Sequence, residues 1–483
     1  MSSDNMQAAT SNAAIATMTI AGREVPAAAT FRVVNPATEE VLGWAPDATR
    51  DDLDAAVAAA RAAFPAWRDT PVDERRRLVR AVGAVLRDNA AELARLLTCE
   101  QGKPLEAARG EIEGAAYWCD GICEIELPVT VHEDTAERRS TTRHVPLGVV
   151  GAIAPWNFPI ILAIWKLAPA LVTGNTIVLK PSPFTPLTTL RLGELLRGVL
   201  PPGVVNVISG GEQLGPWMTS HPGFDKISFT GSSQTGAKVM ASAAATLKRV
   251  TLELGGNDAA IVLPDANVEE IVEPLFWSAF QNSGQICVAS KRIYIHDALY
   301  DRLAEALSEY ARGVKVGDGL EQGTQVGPVN NHQQFARVSE MIEDAKAKGL
   351  RFIVGGEVPE GPGYFIPLSL IDNPPEDARI VAEEQFGPVV PLMRFTDVED
   401  VIRRANDTPY GLAGSIWTGD PEAAEQLAQR IDTGTVWINE AHYSSPFIPF
   451  GGHKASGVGV ESGIEGLLEY TNAQTVVVRK SQP

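Results

Sequence analysis

The sequence predicts an α/β protein with two doubly wound, Rossmann-like α/β domains and a small β oligomerisation arm. Short β-branched runs alternate with helical stretches between Pro146 and Val262, and the alternation resumes after Gly255. Such alternation indicates parallel βαβ units. The 483 residues also exceed the roughly 250 to 300 at which one hydrophobic core stops growing. We therefore expect more than one domain.

The first domain begins with helices and continues as a sheet. Residues Asp51 to Arg109 are rich in Ala, Leu and Arg, with apolar residues at helical spacing. The predicted strands that follow are Val149–Ala154, Thr176–Lys180, Val204–Ile208, Lys226–Thr230 and Val250–Glu253. The segments between these strands have room for crossover helices. Residues 1–126 and 147–254 form this domain.

The second domain spans residues 255–455, and the arm is drawn from two further segments. Its candidate strands are Arg292–His296, Val389–Phe395 and Thr435–Asn439, and its candidate helices are Ala298–Val314 and Val398–Asn406. The polar stretch Val129–His144 alternates like an exposed hairpin, and the valine run within Ala473–Arg479 needs a partner strand. We assign residues 127–146 and 470–483 to the arm.

The charge balance excludes two classes of partner. The chain carries 41 basic and 60 acidic residues, a net charge of −19, with a pI near 4.9. This charge repels nucleic acid and anionic lipid. We expect no nucleic-acid and no membrane partner.

Cysteine usage and the apolar segments bound the location of the protein. Four cysteines at irregular spacing do not make a disulfide framework in a chain of this length, and Cys119 and Cys123 have no second pair with which to bind a metal. Residues 1–18 lack a signal-peptide pattern and are expected to form a disordered leader. The most apolar segment, Phe158–Gly174, is too short to span a bilayer. These features favour a cytoplasmic protein without a metal site.

Polar or flexible residues follow four strands of the first domain. Ligands of open parallel sheets bind beyond the carboxyl ends of the strands. The segments found there are Pro155–Pro159 (PWNFP), Lys180–Ser182 (KPS), Gly231–Gly236 (GSSQTG) and Glu253–Gly256 (ELGG). A buried strand does not need residues of these types at its end. They are candidate ligand contacts.

Each of these segments has a chemical interpretation and a plainer alternative. Backbone N–H groups left free at Gly231–Gly236 suit a phosphate, although the glycine spacing also fits an ordinary strand-to-helix turn. Lys180 can bond ribose hydroxyls or be a solvated strand end. Glu253, beside two glycines, can act as a general base or be a surface carboxylate. Asn157 offers an uncharged N–H donor for an oxyanion.

Cys287 lies among small and polar residues in NSGQICVAS (282–290), just after the apolar run PLFWSAF. A structural cysteine behaves as a small hydrophobe and would suit the run itself better, yet core packing remains the plain alternative. A thiol needs a helix N-terminus, N–H donors or a base to become a nucleophile. With a carboxylate, an amide donor and a phosphate-binding turn elsewhere, Cys287 indicates covalent catalysis with a dinucleotide.

Seven motifs together resemble those of the aldehyde dehydrogenase superfamily, NAD(P)-dependent and hydrolytic. They are PWNFP (155–159), KPS (180–182), FTGS with Gly236 (229–236), LELGG (252–256), GQIC (284–287), EEQFGP (383–388) and PFGG with KASG (449–457). The resemblance runs in order from about Val33 to Val478.

The resemblance implies an activity and a role for each catalytic residue. Cys287 would attack an aldehyde, its backbone N–H and Asn157 would hold the oxyanion, and Glu253 would activate the water that releases a carboxylic acid. Lys166 would be a supporting polar group near the active site. The first domain would bind the dinucleotide, the second would be catalytic, and the arm would assemble a homodimer or homotetramer.

The resemblance also implies the cofactor contacts. The residues carried over are Trp156, Lys180, Ser182, Pro183, Gly231, Ser232, Gly236, Leu254, Gly255, Glu384 and Phe386. Pro183 stands where many NAD-preferring members have a glutamate that accepts both ribose hydroxyls. Loss of that carboxylate removes its repulsion of a 2′-phosphate. We expect NAD as the cofactor, with NADP tolerated.

The substrate tunnel is assigned by register with GQIC and PFGG. Its residues are Phe158, Trp165, Gln281, Ile286, His442, Tyr443, Ser444 and Phe447. They are mainly apolar and aromatic, which favours an apolar aliphatic or aromatic aldehyde. Two interpretations of His442 stay open: it bonds a substrate hydroxyl, or it is a packed or solvent-facing histidine. Two alternatives to the whole assignment are a semialdehyde dehydrogenase, CoA-acylating in one version, and a non-catalytic nucleotide-binding structural protein.

Overall fold

Two large, mainly parallel sheets organise the protein, whose structure is a computed structural model that describes residues 15–480. The leader expected over residues 1–18 lies outside the described residues as far as residue 14. The expectation is wrong for residues 15–18, because Ile15 pairs with Trp44 and the fully buried Met18 begins a strand. Burial of the Met18 side chain explains why this stretch is ordered.

Helices and strands alternate along most of the described chain. The helices are α1 (Arg50–Asp69), α2 (Val72–Asp88), α3 (Ala90–Gln101), α4 (Leu105–Ile122), α5 (Pro159–Val172), α6 (Leu187–Leu195), α7 (Leu214–Ser220), α8 (Ser233–Ala244), α9 (Val268–Phe280), α10 (Asp297–Gly313), α11 (His332–Ala347), α12 (Arg379–Ala382), α13 (Val398–Asn406), α14 (Pro421–Ala428) and α15 (Gly463–Leu468). The strands are β1 (Met18–Ile20), β2 (Arg23–Val25), β3 (Thr30–Val34), β4 (Val41–Pro46), β5 (Thr130–Asp134), β6 (Arg138–Pro146), β7 (Val149–Ile153), β8 (Thr176–Lys180), β9 (Val205–Val207), β10 (Lys226–Thr230), β11 (Arg249–Glu253), β12 (Asp258–Val262), β13 (Ser290–His296), β14 (Phe352–Val354), β15 (Ser369–Asp372), β16 (Val389–Phe395), β17 (Tyr410–Gly411), β18 (Ala413–Trp417), β19 (Thr435–Ile438), β20 (His453–Lys454), β21 (Gly457–Val458) and β22 (Thr471–Arg479).

The first sheet has the strand order β2-β1-β9-β8-β7-β10-β11-β21. The five strands expected from the sequence, β7 to β11, are its parallel centre, which confirms the doubly wound reading. The chain runs outward from β7 through β8 to β9 and then crosses to β10 on the other side of β7. Loops after β7 and β10 therefore diverge and open a crevice at this point.

The second sheet has the order β14-β15-β16-β13-β12-β18-β19, and every neighbouring pair except β14–β15 is parallel. Three of its strands, β13, β16 and β19, were expected from the sequence. The expectation missed the central strands β12 and β18, each fully buried. A short run that is buried on both faces lacks the alternation by which a strand is recognised.

The arm is a three-stranded sheet in the order β22-β6-β5. The expected pairing of the C-terminal valine run with the polar hairpin is confirmed, since Thr471–Arg479 pairs antiparallel with Arg138–Pro146 over nine residues. Val476, Val477 and Val478 remain exposed on it. No helix within residues 15–480 is long and apolar enough to cross a membrane.

Candidate active site

The carboxyl ends of the first sheet meet in register. Ile153 lies opposite both Lys180 and Phe229, and Thr230 lies opposite Glu253. The residues that follow these strands are therefore brought to one edge of the sheet, as the sequence indicated. The loop after β7 carries Asn157, and it faces the turn that carries Cys287.

Cys287 lies in a turn between the 3-10 turn Gln281–Gly284 and β13. Asn282, Ser283 and Gly284 all have positive φ, so three consecutive residues in the left-handed region bend the chain sharply before the cysteine. A Cβ on Gly256 would lie 2.7 Å from the carbonyl oxygen of Cys287. Glycine at 256 thus allows the cysteine turn to approach the chain just beyond Glu253.

The Cys287 thiol is not held as a thiolate in this structure. Burial raises its pKa to about 12, Lys291 opposes that rise, and the carboxylates of Glu253, Asp258 and Glu384 add to it. The turn places the cysteine at no helix N-terminus. Activation therefore falls to a base that takes the thiol proton.

Glu253 is the candidate for such a base. Its side chain is 4% exposed, and within residues 15–480 neither carboxylate oxygen has a hydrogen-bond partner. Burial raises the pKa of Glu253 well above its usual range, Glu461 raises it further, and Lys166 opposes. The surface-carboxylate alternative is wrong, because the group is buried at a strand end.

Lys166 lies behind Glu253 in a buried ion pair that the sequence did not reveal. Its Nζ is 2.9 Å from Oε1 of Glu461, and both side chains are at most 1% exposed. The Ser228 hydroxyl donates to the same carboxylate oxygen at 3.1 Å. Lys166 thus offsets the charge of Glu461 next to Glu253.

Asn157 is held from both ends. Its Nδ2 donates to the carbonyl of Gln285 at 3.0 Å, and its own carbonyl accepts from Nζ of Lys103 at 2.9 Å. Lys103 in turn pairs with Glu111 at 2.6 Å, and Glu111 caps α5 through the N–H groups of Ile160 and Ile161. One N–H of the Asn157 amide donates to the cysteine turn, and the other has no acceptor among residues 15–480, so it can serve an oxyanion.

The turn after β10 leads into α8 as the sequence indicated, with one difference. Ser232 is the N-cap of α8, and its hydroxyl accepts from the Thr235 N–H at 3.3 Å. A Cβ on Gly236 would overlap the side chain of Leu254, so this glycine lets Leu254 pack on the helix. The Gly231 N–H is not free as expected, because it donates to the carbonyl of Glu253 at 3.0 Å.

Lys180, Ser182 and Pro183 occupy the end of β8. Lys180 is 5% exposed, so the solvated-terminus alternative is wrong. Burial lowers the pKa of Lys180 to about 8, and Asp47 opposes this shift. Its Nζ donates to the carbonyl of Pro181 at 3.1 Å, and the Ser182 hydroxyl accepts from the Phe184 N–H at 3.3 Å.

Glu384 and Phe386 lie across the cleft from β11. Oε1 of Glu384 accepts from the Gly256 N–H at 3.0 Å, and a Cβ on Gly255 would overlap the same carboxylate. The rings of Trp156 and Phe386 meet edge to face at 5.2 Å. The structure therefore brings these predicted cofactor residues to one cleft between the two sheets.

The predicted tunnel residues divide into an aromatic wall and a rim. Trp165 stacks on Trp118 at 5.1 Å and meets Phe450 edge to face at 5.5 Å. Ile286 is buried next to Cys287, whereas Tyr443 and Phe447 are exposed and Ser444 is half-buried. The Phe158 ring is covered by Nζ of Lys103 at 3.8 Å from its centroid.

His442 has one hydrogen-bonded ring nitrogen, and its Nε2 is buried without a partner among residues 15–480. Its Nδ1 is 3.1 Å from Oε1 of Gln281. Burial and Lys291 lower the pKa of His442 to about 4, while the carbonyls of Val288 and Ser278 oppose this shift. The ring is neutral near pH 7, and its role toward a substrate stays a prediction.

Sequence reasoning missed the residues that support this site. They are Lys103, Glu111, Trp118, Lys291 and Glu461. Lys103 and Glu111 are eight residues apart and span the start of α4, a separation that no helix-face or strand pattern marks. Trp118 was detectable as an aromatic residue on the helical face that packs on α5. Glu461 carries no sequence signal of its own.

Comparison with known proteins places the chain in a family. A model of the aldehyde dehydrogenase family matches residues 25–476. The NAD⁺ complex of an aldehyde dehydrogenase from Bacillus cereus superposes with a TM-score of 0.95 at 37% identity, covering 100% of this chain and 99% of the other. The chain belongs to the aldehyde dehydrogenase family.

Curated relatives span nearly the whole chain. A probable aldehyde dehydrogenase of a Pseudomonas species is 44% identical over 96% of this chain and 94% of its own length. The NADP⁺-dependent succinate-semialdehyde dehydrogenase of Escherichia coli is 40% identical, over 91% and 92% of the two lengths. A phenylacetaldehyde dehydrogenase of Pseudomonas fluorescens is 38% identical, over 93% and 92%.

The raised thiol pKa predicts the pH dependence of Cys287 alkylation. With nucleotide-free protein, the rate of carboxamidomethylation by iodoacetamide should rise about tenfold per pH unit between roughly pH 7 and 9, because the thiolate fraction rises tenfold per unit below the pKa. Peptide mass spectrometry separates Cys287 from the other cysteines. The alkylation rate of a small-molecule thiol of pKa about 8.5 levels off in this range. Similar levelling of the rate for Cys287 would contradict the raised thiol pKa.

Proposed function

We propose that this protein oxidises an aldehyde to the carboxylic acid with NAD⁺, through a covalent thioester on Cys287. The observation that carries the proposal is the convergence of a partly buried thiol, an unbonded buried carboxylate and an anchored amide donor. Asn157 lies in the loop after β7, Glu253 ends β11, and Cys287 lies in the turn before β13; the three meet at the carboxyl edge of the first sheet.

The residues around the cleft fit a nicotinamide dinucleotide. We propose that residues 1–126 and 147–254 bind it and that residues 255–455 supply the catalytic cysteine. Ser232, the N-cap of the twelve-residue α8, suits the pyrophosphate, with Gly231 beside it as a residue without a side chain. Lys180 suits a ribose. Glu384, Phe386 and Trp156 suit the nicotinamide end. When bound, NAD⁺ supplies the acceptor for the hydride that leaves the substrate carbon.

The chain's own residues perform the remaining chemistry. Glu253 in its ionised form takes the Cys287 proton, and the sulfur adds to the aldehyde carbon to give a thiohemiacetal. The Cys287 N–H and the free N–H of Asn157 hold the oxyanion. After hydride loss leaves a thioester, Glu253 releases the thiol proton to solvent and then removes a proton from water, whose oxygen displaces the sulfur; the departing thiolate takes that proton back from Glu253. Lys166 and Glu461 lie behind this carboxylate and set its charge environment.

The wall of Trp118, Trp165 and Phe450 supports an apolar aliphatic or aromatic aldehyde as substrate. None of the assigned tunnel residues is a lysine or arginine that could pair with a second carboxylate. The relative that acts on phenylacetaldehyde fits this wall, whereas the succinate-semialdehyde relative stands for the alternative. Glu253 disfavours CoA acylation, because a water-activating base competes with acyl transfer to a thiol.

The arm and the cysteines support two further parts of the proposal. The exposed valines of β22 on the three-stranded arm suit pairing between copies of this chain, as a homodimer or homotetramer. All four cysteines are free thiols, which suits the reducing cytoplasm.

Replacement of Glu253 tests the assigned chemistry. Glu253→Gln should lower kcat by about 10² to 10⁴, because the general base is lost. Rapid-quench detection of the thioester on Cys287 and of the acid product in the first turnover should show slower thioester hydrolysis. The dissociation constant for NAD⁺, measured separately, should change less than the hydrolysis rate. Cys287→Ala is the control and should abolish hydride transfer with NAD⁺ binding intact. Hydride transfer by Cys287→Ala would refute the proposal.

A substrate panel tests the apolar tunnel. We expect kcat/KM for hexanal and phenylacetaldehyde to exceed that for succinate semialdehyde by at least about tenfold, equivalent to about 1.4 kcal/mol. Each aldehyde is to be assayed with NAD⁺ and NADP⁺ at saturating cofactor. Preference for succinate semialdehyde would favour the semialdehyde alternative.

Substitution of Pro183 tests how the protein recognises the adenosine ribose of the cofactor. Pro183→Glu should lower kcat/KM for NADP⁺ and leave or improve that for NAD⁺, because the carboxylate repels a 2′-phosphate and accepts ribose hydroxyls. We expect the ratio to shift toward NAD⁺ by at least about tenfold, or about 1.4 kcal/mol. Pro183→Gln, of equal length and no charge, is the control. If the ratio of kcat/KM for NAD⁺ to that for NADP⁺ is the same in both variants, other residues must recognise the ribose.

A further inference from the structure

Lys291 places a buried cation against the turn of the cysteine. Its side chain is 3% exposed, and its Nζ donates to the carbonyls of Ile286 at 2.9 Å and Cys287 at 2.7 Å. The residue lies in β13, four positions after Cys287. The lysine therefore returns to bind the backbone of the turn that precedes its own strand.

The same ammonium reaches across the cleft. Its Nζ is 3.6 Å from Oε1 of Glu384, the carboxylate oxygen that also accepts from the Gly256 N–H at 3.0 Å. It lies 6.0 Å from the centroid of the Phe386 ring. One cation thus connects the cysteine turn, the glycine pair beyond Glu253 and the loop of Glu384.

We propose that Lys291 is the residue that positions and electrostatically activates Cys287, by holding the carbonyls of the cysteine turn and balancing the surrounding carboxylates. The inference rests on the proposed role of Cys287 as the nucleophile.

Charge explains why a lysine suits this place. Carboxyl groups face the thiol from three elements: Glu253 from β11, Asp258 from β12 and Glu384 from the loop before β16. Each raises the thiol pKa, whereas Lys291 lowers it. Lys291 likewise opposes the burial that raises the pKa of Asp258 to about 7.

Other charged or titratable neighbours act elsewhere or lack charge. Arg292 alternates to the opposite face of β13, where its guanidinium donates to the carbonyls of Asn257, Arg404 and Ala405. Arg337 of α11 donates to the backbone carbonyl of Glu384. His442, on the other side of the turn, has its pKa lowered and is neutral near pH 7.

The test is the alkylation rate of Cys287 at pH 8 in nucleotide-free protein, which needs no turnover. Lys291→Met should slow iodoacetamide alkylation, and Lys291→Arg should retain the rate within about threefold. Glu384→Gln and Asp258→Asn each remove a carboxylate and should accelerate it. For each unit by which a variant shifts the thiol pKa, we expect the alkylation rate to change about threefold. The tenfold change in the thiolate fraction is partly offset by the opposite change in thiolate nucleophilicity.

The opposite signs separate electrostatics from general damage. A structural role alone would move all variants in one direction, and that result, or a wild-type rate for Lys291→Met, would overturn the proposal. Thermal unfolding monitors the fold of each variant. If Lys291→Met does not fold, the two carboxylate variants decide, since slower or unchanged alkylation in both contradicts the charge balance.

Failure of the role of Lys291 can be told apart from failure of the proposed function. Hydride transfer by Cys287→Ala would refute Cys287 as the nucleophile while the alkylation series still measured the influence of Lys291 on the thiol. Conversely, an inert Cys287→Ala together with same-sign alkylation changes would leave the function standing and remove the role of Lys291.

Discussion

Burial of ionisable groups at the edge of one parallel sheet is the constraint on which the site depends. Glu253 ends β11, and neither of its carboxylate oxygens has a hydrogen-bond partner among residues 15–480. Burial raises the pKa of this carboxyl and of the adjacent Cys287 thiol. Desolvation disfavours both charged forms, and the raised pKa of Glu253 makes its ionised form a stronger base than an ordinary carboxylate. Low polarity also strengthens every remaining charge interaction in the cleft.

Buried ion pairs hold the loops that supply the reacting groups. Lys103 and Glu111 connect α4 to the loop of Asn157 and to the first turn of α5, while Lys166 and Glu461 connect α5 to the chain beyond β21. A buried pair contributes little net stability, yet loss of one partner leaves an uncompensated charge. Such pairs therefore favour one arrangement of the loops over others, which suits reacting groups that come from separate elements.

The strands of the first domain could be predicted from the sequence because their surroundings leave a local pattern. Thr176–Lys180 and Lys226–Thr230 were expected with the bounds that the structure has, since each is a β-branched run followed by polar residues or glycine. The missed strands β12 and β18 are buried on both faces in the middle of the second sheet. Neighbours distant in sequence bury these strands on both faces, so their residues do not alternate between polar and apolar.

Residue type and local surroundings were enough to nominate Cys287, Glu253 and Asn157 as chemical groups. Glu253 and Asn157 stood where predicted strands end, and Cys287 stood among small and polar residues after an apolar run. Their protonation was decided by the tertiary structure alone. The thiol, expected to need activation, lies at no helix N-terminus, and its pKa follows from burial and from carboxylates on other elements. The supporting cations Lys103 and Lys291 likewise owe their roles to contacts across the fold. Electrostatic environment is a property of distance in space, and a sequence read along the chain carries residue identity but not those distances.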